Sequence, residues 1–570
     1  MTSTTRRFFQ RCRFFGIGSA LILALWLATA IASPAQTVTT LASFDWTDGA
    51  VSYAGLAQGR DGNLYGTTAL GGPTEGGVVF KITPQGTVTA LYSFCTQTGC
   101  PDGSNSAAAL VLATDGNFYG TTSALYTHGY GSVFKITPAG KLTTLHNFCS
   151  QTGCPDGAGS HGGLVQAIDG NFYGTTDTGG ASNNGTVFKI TPTGTLTTVH
   201  SFNNFDGSAP YAGLIQAPDG NFYGTTLYGG GYGTVFKMTP AGKLTTLYSF
   251  TGGGDGSFPD GGLVQASDGN FYGTTDAGGA NSSGCNGFGC GTVFRITPAG
   301  KLTTLYSFCS QADCADGATP YAGLVQGTDG NLYGTTAAGG SHQTCGTPPN
   351  GCGTIFQITT SGTLTTVYSF AGYPNDGGIP YAALMQGTDG NFYGATAYGG
   401  GSNAGTIFSL SMGLSPFVTF VHNYGKVGWT PEILGQGFKG TTGVSFNATP
   451  AAFTVKSDTY LKATVPAGAT TGPVTVTTPG GTLTSNVPYR VRPTILSFTP
   501  TGGPVGTPVT ITGVSLTQTT DVEFCGVPAT FTVDSDTQVT ATVPAGAHDG
   551  IAITTPGGKT WSAEQFVVTP

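Results

Sequence analysis

Residues 38–413 consist of seven copies of one unit, and the seventh copy lacks its final segment. The missing segment stands instead before the first copy, where VTTLASF at residues 38–44 matches LTTLYSF at residues 244–250. Such a displaced strand can complete the last sheet of the repeat and leaves no unpaired sheet edge at either end. The repeat is therefore predicted to close on itself rather than to continue as an open solenoid.

Each copy divides into four predicted strands, named A to D, around the tripeptide Asp-Gly-Asn. In the fourth copy these strands are predicted at residues 213–216, 221–226, 233–239 and 244–250. Intervals of 49 to 61 residues between successive tripeptides suit propeller blades better than short solenoid coils. The sequence therefore predicts an all-β fold in which residues 36–413 form a seven-bladed β-propeller closed by the N-terminal strand.

The connections between strands form a constant set and a variable set. The A–B and C–D turns keep nearly the same length in every copy, whereas the B–C connection grows from residues 227–233 to residues 337–353. Because antiparallel strands reverse direction each time, both constant turns are predicted on one face and both variable connections on the other. Loops on a rigid scaffold commonly carry binding residues, so we expect function on the variable face.

Ten of the twelve cysteines form close pairs inside the variable connections. These pairs are predicted to be disulfides: Cys95–Cys100, Cys149–Cys154, Cys285–Cys290, Cys309–Cys314 and Cys345–Cys352. Zinc is the alternative, but the pairs are dispersed and lack paired histidines at ligand spacing. Calcium at the seven turn aspartates is a second alternative, but each has a turn role already: Asp61, Asp115, Asp169, Asp219, Asp268, Asp329 and Asp389. No metal or cofactor is expected.

The position three residues before the leucine of strand A carries polar and aromatic residues in six copies. These residues are Tyr53, His161, Tyr211, Asp260, Tyr321 and Tyr381, and the remaining copy has Ala107. A propeller places this position around the mouth of its central channel. Tyrosine combines an apolar face with a polar tip, so the six residues are candidates for binding a sugar or another polar ligand. The alternative is that they only pack the tyrosines between blades.

No catalytic constellation is visible in the sequence. Sugar hydrolysis typically needs two carboxylates at a defined separation, yet the chain has only four glutamates, of which only Glu75 lies in a variable loop. The other polar candidates are expected to be solvated loop residues of separate copies: Asp177, Asp276, Asp313, His128 and His342. Motifs of serine hydrolases, zinc proteases and nucleotide-binding proteins are missing from the sequence. An enzyme is therefore less expected than a binding protein.

Charge and the N-terminal segment indicate the compartment. Charged residues are only 8% of the chain and the net charge is -8, so no basic stripe is available to bind nucleic acid. Four arginines precede an apolar run at residues 14–31, and residues 1–35 are predicted to be a signal peptide cleaved after Ala32 or Ala35. The general secretory route is favoured, with twin-arginine export as the alternative. No second apolar span follows, so the mature chain is expected outside the cytoplasm without a transmembrane anchor.

Two further copies of about 78 residues follow, at residues 414–491 and 492–570. The run ATVPAGATTGPVTVTTPGG from Ala463 recurs as ATVPAGAHDGIAITTPGG from Ala541, and short β-rich segments with Gly and Pro turns predict sandwiches. On GTPVTITG at residues 506–513, both copies resemble IPT/TIG immunoglobulin-like domains. The first copy departs from this pattern locally at WTPE, residues 429–432. The resemblance implies spacers or binding modules of surface proteins. The lone Cys525 is expected to be a buried free thiol, with an intermolecular disulfide as the alternative.

The blocks DGNFYGTT, GTVFKITPAG and LTTLYSF recur in order through residues 38–413. On these blocks the region resembles the GloVer tandem repeats of bacterial exported proteins, which implies an exported or surface protein and specifies no activity. The leading hypothesis is an extracellular binding or adhesion scaffold for a glycan or protein ligand. The alternatives are a carbohydrate-active propeller enzyme, either a lyase or a hydrolase, and a purely structural envelope component.

Overall fold

β-strands and turns make up almost all regular structure in this protein. The computed structural model describes residues 36–123, 129–281, 285, 287–342, 345 and 350–570. Among these residues the only helical element is a short 3-10 helix at Ala312–Cys314. The expected all-β fold is therefore confirmed for the described part of the chain. The predicted signal peptide at residues 1–35 and His128 lie outside the described residues.

Seven four-stranded antiparallel sheets occupy residues 37–411, and we number them 1 to 7 in chain order. Strand A of sheets 1 to 7 lies at Ala57–Gln58, Val111–Leu112, Val165–Gln166, Ile215–Gln216, Val264–Gln265, Val325–Gln326 and Met385–Gln386. Strand B lies at Leu64–Thr67, Phe118–Thr122, Phe172–Thr176, Phe222–Thr226, Phe271–Thr275, Leu332–Thr336 and Phe392–Thr396. Strand C lies at Val78–Ile82, Ser132–Ile136, Thr186–Ile190, Thr234–Met238, Thr292–Ile296, Thr354–Ile358 and Thr406–Ser411. Strand D of sheets 1 to 6 lies at Val88–Ser93, Leu142–Asn147, Leu196–Ser201, Leu244–Ser249, Leu302–Ser307 and Leu364–Ser369.

Sheet 7 obtains its strand D from the N-terminal segment Thr37–Ser43. This strand pairs antiparallel with Thr406–Ser411, so that Thr37 lies opposite Ser411 and Ser43 lies opposite Thr406. The two segments that the sequence analysis matched therefore occupy equivalent positions in their sheets. The pairing covers the edge that the truncated seventh copy leaves open.

Consecutive sheets pack on one another, and the last packs on the first. Strands B and C are buried on both faces, and the FYGTT segment of sheet 4 has no exposed residue. Gly224 in this segment must lack a side chain, because a Cβ atom there would lie 2.7 Å from the Phe236 ring. Between sheets 7 and 1, Phe44, Phe80 and Ile407 share one buried cluster. The seven sheets thus form a closed cycle of packed neighbours, stabilised mainly by burial of aromatic and aliphatic side chains.

The two C-terminal copies have the same sheet order. In the first copy one sheet contains Thr419–Phe420, Glu432–Leu434, Tyr460–Ala463 and Phe453–Ser457, and the other contains Thr449–Pro450, Gly443–Phe446, Val474–Thr478 and Gly481–Thr484. In the second copy the sheets contain Thr494–Thr499, Pro508–Val514, Gln538–Thr542 and Phe531–Ser535, and Val527–Pro528, Asp521–Phe524, Ile551–Thr555 and Gly558–Trp561. Parallel pairs join Tyr424–Gly425 to Arg490–Val491 and Gly502–Gly503 to Val567–Val568. In each copy both sheets contribute to one core.

The WTPE segment of the first copy contacts the constant face of the repeat sheets. The Glu432 side chain is buried, forms an ion pair with Arg60 in the A–B turn of sheet 1, and lies 3.0 Å from Lys462 Nζ. The Thr459 hydroxyl donates a hydrogen bond to the Arg60 carbonyl, and the Phe417 amide donates one to the Thr388 carbonyl. The WTPE segment, in which the first copy differs from the second, therefore contributes Glu432 to the contact between the first copy and the repeats.

All five predicted disulfides are formed within the variable connections. The expectation for Cys525 is wrong, because this free cysteine is exposed. It stands with Gly526 in the two-residue turn between Phe524 and Val527, and both turn residues have positive φ. A hairpin turn projects away from the sheet, so the Cys525 thiol does not reach the core.

Candidate ligand-binding cavity

The six candidate residues of the sequence analysis surround a single cavity of about 390 Å³. They are all half-buried, and the seventh position, Ala107, completes the wall: Tyr53, His161, Tyr211, Asp260, Tyr321 and Tyr381. Every sheet contributes the segment that precedes its strand A. The cavity therefore opens among the variable connections, on the face opposite the Asp-Gly-Asn turns.

Small residues form the rest of the lining, directly after the candidate positions in the sequence. These residues are glycine or alanine in every copy, and the sheets approach one another closely there. A Cβ atom at Gly213 would lie 2.6 Å from the Gly163 carbonyl oxygen, and one at Gly323 would lie 2.7 Å from that of Gly262. Residues 213–214 are predicted as the start of strand A, but the ladder begins at Ile215, because Gly213 lines the cavity and Leu214 packs in the core between sheets 3 and 4.

Aromatic contacts between neighbouring sheets hold the wall in place. The Tyr381 ring makes edge contacts with Tyr53 at 5.4 Å and with Tyr321 at 5.0 Å between ring centroids. On the other side the His161 ring stacks on Tyr211 at 4.6 Å. Such pairs restrict the rotamers of the rings and keep a preformed aromatic surface.

Two acidic residues that the sequence analysis expected to be solvated lie instead beside the candidate residues. Asp177 and Asp276 each follow strand B, sixteen positions after His161 and Asp260 respectively. The Asp177 carboxylate lies 3.7 Å from His161 Nε2. The Oδ1 atoms of Asp177 and Asp276 are buried and accept no hydrogen bond from the described residues. The shared offset is the sequence signal that these positions form equivalent pairs in sheets 3 and 5.

Burial changes the protonation of these groups. It raises the pKa of Asp260 to about 7, and burial together with the nearby Asp260 charge raises the pKa of Asp276 to about 8. Burial also raises the pKa of Asp177 to about 6 and lowers that of His161 to about 4. At neutral pH the histidine is therefore uncharged, while Asp260 and Asp276 exchange protons readily. Asp260 and Asp276 are close enough for the charge of one to affect the pKa of the other, a proximity that the sequence did not reveal.

The remaining polar candidates stay away from the cavity. Glu75, Asp313 and His342 are exposed in variable connections, as expected, and none of them lines the cavity. The sulfur atoms of Cys285, Cys290 and Cys309 lie within 4.8 Å of one another. All three are in disulfides and offer no thiolate to a metal.

The lining can therefore offer a ligand both stacking surfaces and hydrogen bonds. The tyrosine rings present apolar faces, and their hydroxyl groups can donate or accept hydrogen bonds. A protonated carboxyl of the Asp260–Asp276 pair can donate a proton, and an ionised one can accept it. In the described part of the chain, no Lys or Arg lines the cavity, and His161 is uncharged at neutral pH because burial lowers its pKa to about 4. Such a site suits an uncharged, hydroxyl-rich ligand.

Sequence comparison now assigns the repeats and the last domain. The model of the Gloeobacter/Verrucomicrobia repeat matches residues 29–155, 151–348 and 286–449. This chain belongs to the Gloeobacter/Verrucomicrobia repeat family. The model of the IPT/TIG domain matches residues 493–566, which is the second C-terminal copy. Both resemblances noted in the sequence are thereby confirmed, and no curated protein matches the sequence.

Solved structures that match this protein in a structural comparison have low sequence identity to it. Virginiamycin B lyase from Staphylococcus aureus is 14% identical over 66% of this chain and 98% of its own, with a TM-score of 0.42. A protein of unknown function from Bacteroides thetaiotaomicron is 14% identical over 66% of this chain and 76% of its own, with a TM-score of 0.36. A fungal alcohol oxidase in complex with copper is 13% identical over 93% of this chain and 99% of its own, with a TM-score of 0.40.

Proposed function

We propose that this protein is an exported glycan-binding protein whose ligand occupies the cavity lined by Tyr53, Tyr321 and Tyr381. In this proposal residues 36–413 are a seven-bladed β-propeller that holds the cavity at its centre. Residues 414–491 and 492–570 are immunoglobulin-like sandwiches that support the opposite face. The observation that carries the proposal is the convergence of four tyrosines, His161 and Asp260 on one cavity.

The closed cycle of packed sheets supports the propeller assignment. Seven sheets of four strands follow one another, and the amide of Thr388 in sheet 7 donates a hydrogen bond to the Gln58 side chain of sheet 1. The same sheet order in both C-terminal copies, together with the IPT/TIG match of the second, supports two sandwiches of one kind.

The disulfides support a location outside the cytoplasm. Five disulfides form, and such bonds persist mainly in oxidising compartments. Residues 1–35 have the arginine-rich start and apolar run of an export signal. In the described part of the chain, no helix has the length and apolar character needed to cross a membrane. We infer secretion or retention at the cell surface, with a periplasmic location as the alternative.

A glycan array tests the proposal directly. The oxidised protein spanning residues 36–570 is compared with a variant in which Tyr211, Tyr321 and Tyr381 are alanine. We expect the variant to lose binding at least tenfold, since each ring contributes on the order of 1 kcal/mol of stacking. Phe205→Ala is the matched control, because this ring is 89% exposed and does not line the cavity. Binding that survives the triple change moves the site to the variable loops; no binding by either protein rejects the proposal.

The carboxylate pair favours a carbohydrate-active enzyme as the second candidate. In a hydrolase, the protonated carboxyl of the pair donates its proton to the glycosidic oxygen as the bond to the sugar carbon breaks. The ionised carboxyl accepts a proton from the water that attacks this carbon. The expected result is turnover by the full chain that Asp260→Asn or Asp276→Asn abolishes with binding retained. Full turnover in both variants excludes this chemistry for the pair.

A further inference from the structure

The exposed aromatic side chains of the repeat region are confined to one face. Among the described residues of 36–413, every large aromatic side chain that is more than a third exposed belongs to a variable connection. These residues are Trp46, Tyr130, Phe205, Tyr228, Tyr232, Phe288, Tyr373 and Tyr398. Single exposed aromatics are common on protein surfaces, whereas a set restricted to the face with the cavity indicates an interaction surface.

The segment before strand A of sheet 7 connects the central cavity with a second one. Ile379 lines a second cavity of about 340 Å³, together with Tyr373, Tyr398 and Asn403. Tyr381, only two residues after Ile379, lines the central cavity. One short segment of sheet 7 therefore borders both spaces.

The second cavity has a rigid frame. Gly377–Gly378 pairs antiparallel with Tyr398–Gly399, which fixes the loop that carries Tyr398. The Cys345–Cys352 disulfide joins the middle of the B–C connection of sheet 6 to its C-terminal end, and Cys345 itself lines the cavity. The site is thus held by backbone hydrogen bonds and a disulfide, as a preformed binding surface requires.

The lining of the second cavity is aromatic and uncharged. Tyr373 is 59% exposed and Tyr398 is 38% exposed, so both can offer a ring face to a ligand. Asn403 Oδ1 accepts a hydrogen bond from the Gly399 amide, and the rest of this side chain is exposed. Among the described residues, no Asp, Glu, Lys, Arg or His lines this cavity. Flat rings without charges match the apolar face of a neutral sugar unit better than a charged peptide.

We propose that the ligand is a neutral oligosaccharide that spans both cavities, with one unit against the wall that Tyr53 and Tyr381 form and a later unit against Tyr398 and Tyr373. The inference rests on the proposed function, because it assigns a ligand length to the same site. Sheet 7 then provides the path along which the chain leaves the centre. The aromatic side chains of sheets 3 to 5, such as Phe205 and Phe288, lie in other sectors of the face and do not belong to this path.

Calorimetry with oligosaccharides of defined length tests this inference. The oxidised chain of residues 36–570 is titrated with cello-, xylo- and N-acetylchito-oligosaccharides of one to six units. We expect one series to bind, with an affinity for the longest members about tenfold above that for the two-unit member, as one added stacking contact supplies. Tyr373→Ala removes this gain and leaves the affinity for the two-unit member unchanged. Phe205→Ala and Phe288→Ala are the matched controls and keep the full length dependence.

The outcomes separate this inference from the proposed function. Equal affinity for short and long members rejects the second cavity while the central site stands. A length dependence that survives Tyr373→Ala, or that Phe288→Ala removes, places the chain elsewhere and overturns the proposed path. No binding of any member overturns both, because then the proposed function also fails for these glycans. Circular dichroism of Tyr373→Ala verifies that the exposed substitution leaves the fold intact.

Discussion

Aspartates on the two faces of the repeat region have opposite environments. On the constant face, Asp219 accepts hydrogen bonds from the Asn221 amide, the Asn221 side chain and the Tyr223 hydroxyl, and it pairs with Lys237 at 2.9 Å. Near the cavity, Asp276 has a buried oxygen that accepts no hydrogen bond from the described residues. Burial acts to raise the pKa of both carboxyls, but the partners of Asp219 outweigh it and lower its pKa.

The difference shows what each face is built to do. The turn aspartate satisfies three donors of its own hairpin, and the arrangement recurs in all seven copies, so the constant face stabilises the repeat. The cavity aspartates stand only in sheets 3 and 5, and the Oδ1 atoms of Asp177 and Asp276 accept no hydrogen bond from the described residues. Buried polar groups without partners are costly and are concentrated at functional sites. The proposed ligand would supply the hydrogen-bond partners that the Asp177 and Asp276 carboxyls lack.

The largest expected effect is a difference in protein stability between substitutions of a turn aspartate and of a cavity aspartate. Asp219→Ala is expected to lower the free energy of unfolding by roughly 2–3 kcal/mol, because it leaves the Tyr223 hydroxyl and Lys237 without their partner. Asp260→Ala is the matched change on the other face, and we expect it to cost less than about 1 kcal/mol because no described hydrogen bond is lost. Denaturation monitored by fluorescence measures both. Equal losses contradict the division between the faces.

The next effect concerns the contact between the first C-terminal copy and the constant face of the repeats. Glu432→Gln removes the charge that Arg60 and Lys462 share, and it is expected to lower the free energy of unfolding by about 2 kcal/mol. We also expect faster proteolysis between the repeats and the first C-terminal copy. Glu523→Gln is the control, because Glu523 pairs with Lys559 inside the second copy. The same proteolysis rate in both variants excludes Glu432 as an anchor.

The last effect is a slope of stability with pH, and it is the smallest when counted per pH unit. The pKa of Asp276 is about 8 in the folded protein, whereas its ordinary value is 3.8. Between pH 4 and pH 8 the Asp276 carboxyl is therefore protonated in the folded protein and ionised in the unfolded chain. Stability is therefore expected to fall as pH rises from about 4 to about 8, by up to about 1 kcal/mol per pH unit. Asp276→Asn is expected to flatten this slope.

Asp219→Asn provides the control for this slope. The folded pKa of Asp219 is lowered, so its contribution is fully present above the ordinary value and is lost only as pH falls below it. Asp219→Asn is therefore expected to lower stability equally from pH 5 to pH 9. Denaturation curves at several pH values measure the slopes. An unchanged slope in Asp276→Asn shows that this carboxyl is not buried in solution.

Much of the fold could be predicted because seven aligned copies show where each strand and turn begins and ends. Seven recurrences of Asp-Gly-Asn locate the A–B turns, and the match between residues 38–44 and 244–250 predicts that Thr37–Ser43 completes sheet 7. The five disulfides follow from cysteines only five or seven positions apart. Short-range pairs of this kind leave few other partners. The exposure of Cys525 was not predicted, because it depends on the conformation of the turn in which this residue stands.

The candidate site was predicted in part. The position before strand A gave all six wall residues, since equivalent positions of a repeat meet around its axis. Asp177 and Asp276 were missed because they come from a different connection, and only the sheet brings residues sixteen positions apart into one pair. The same holds for Arg60 and Glu432, which are separated by 372 positions and meet through the contact of two domains.

The sequence by itself determined the strands, the turns, the disulfides and the ring of candidate residues, because each of these depends on local pattern or on the period of the repeat. Tertiary structure alone decided which carboxylates lose their hydrogen bonds and which aromatics border a common cavity. The physical reason is that burial and pairing of side chains depend on the distance between segments that are remote in the chain. The chemistry of the cavity is therefore a property of the packed sheets.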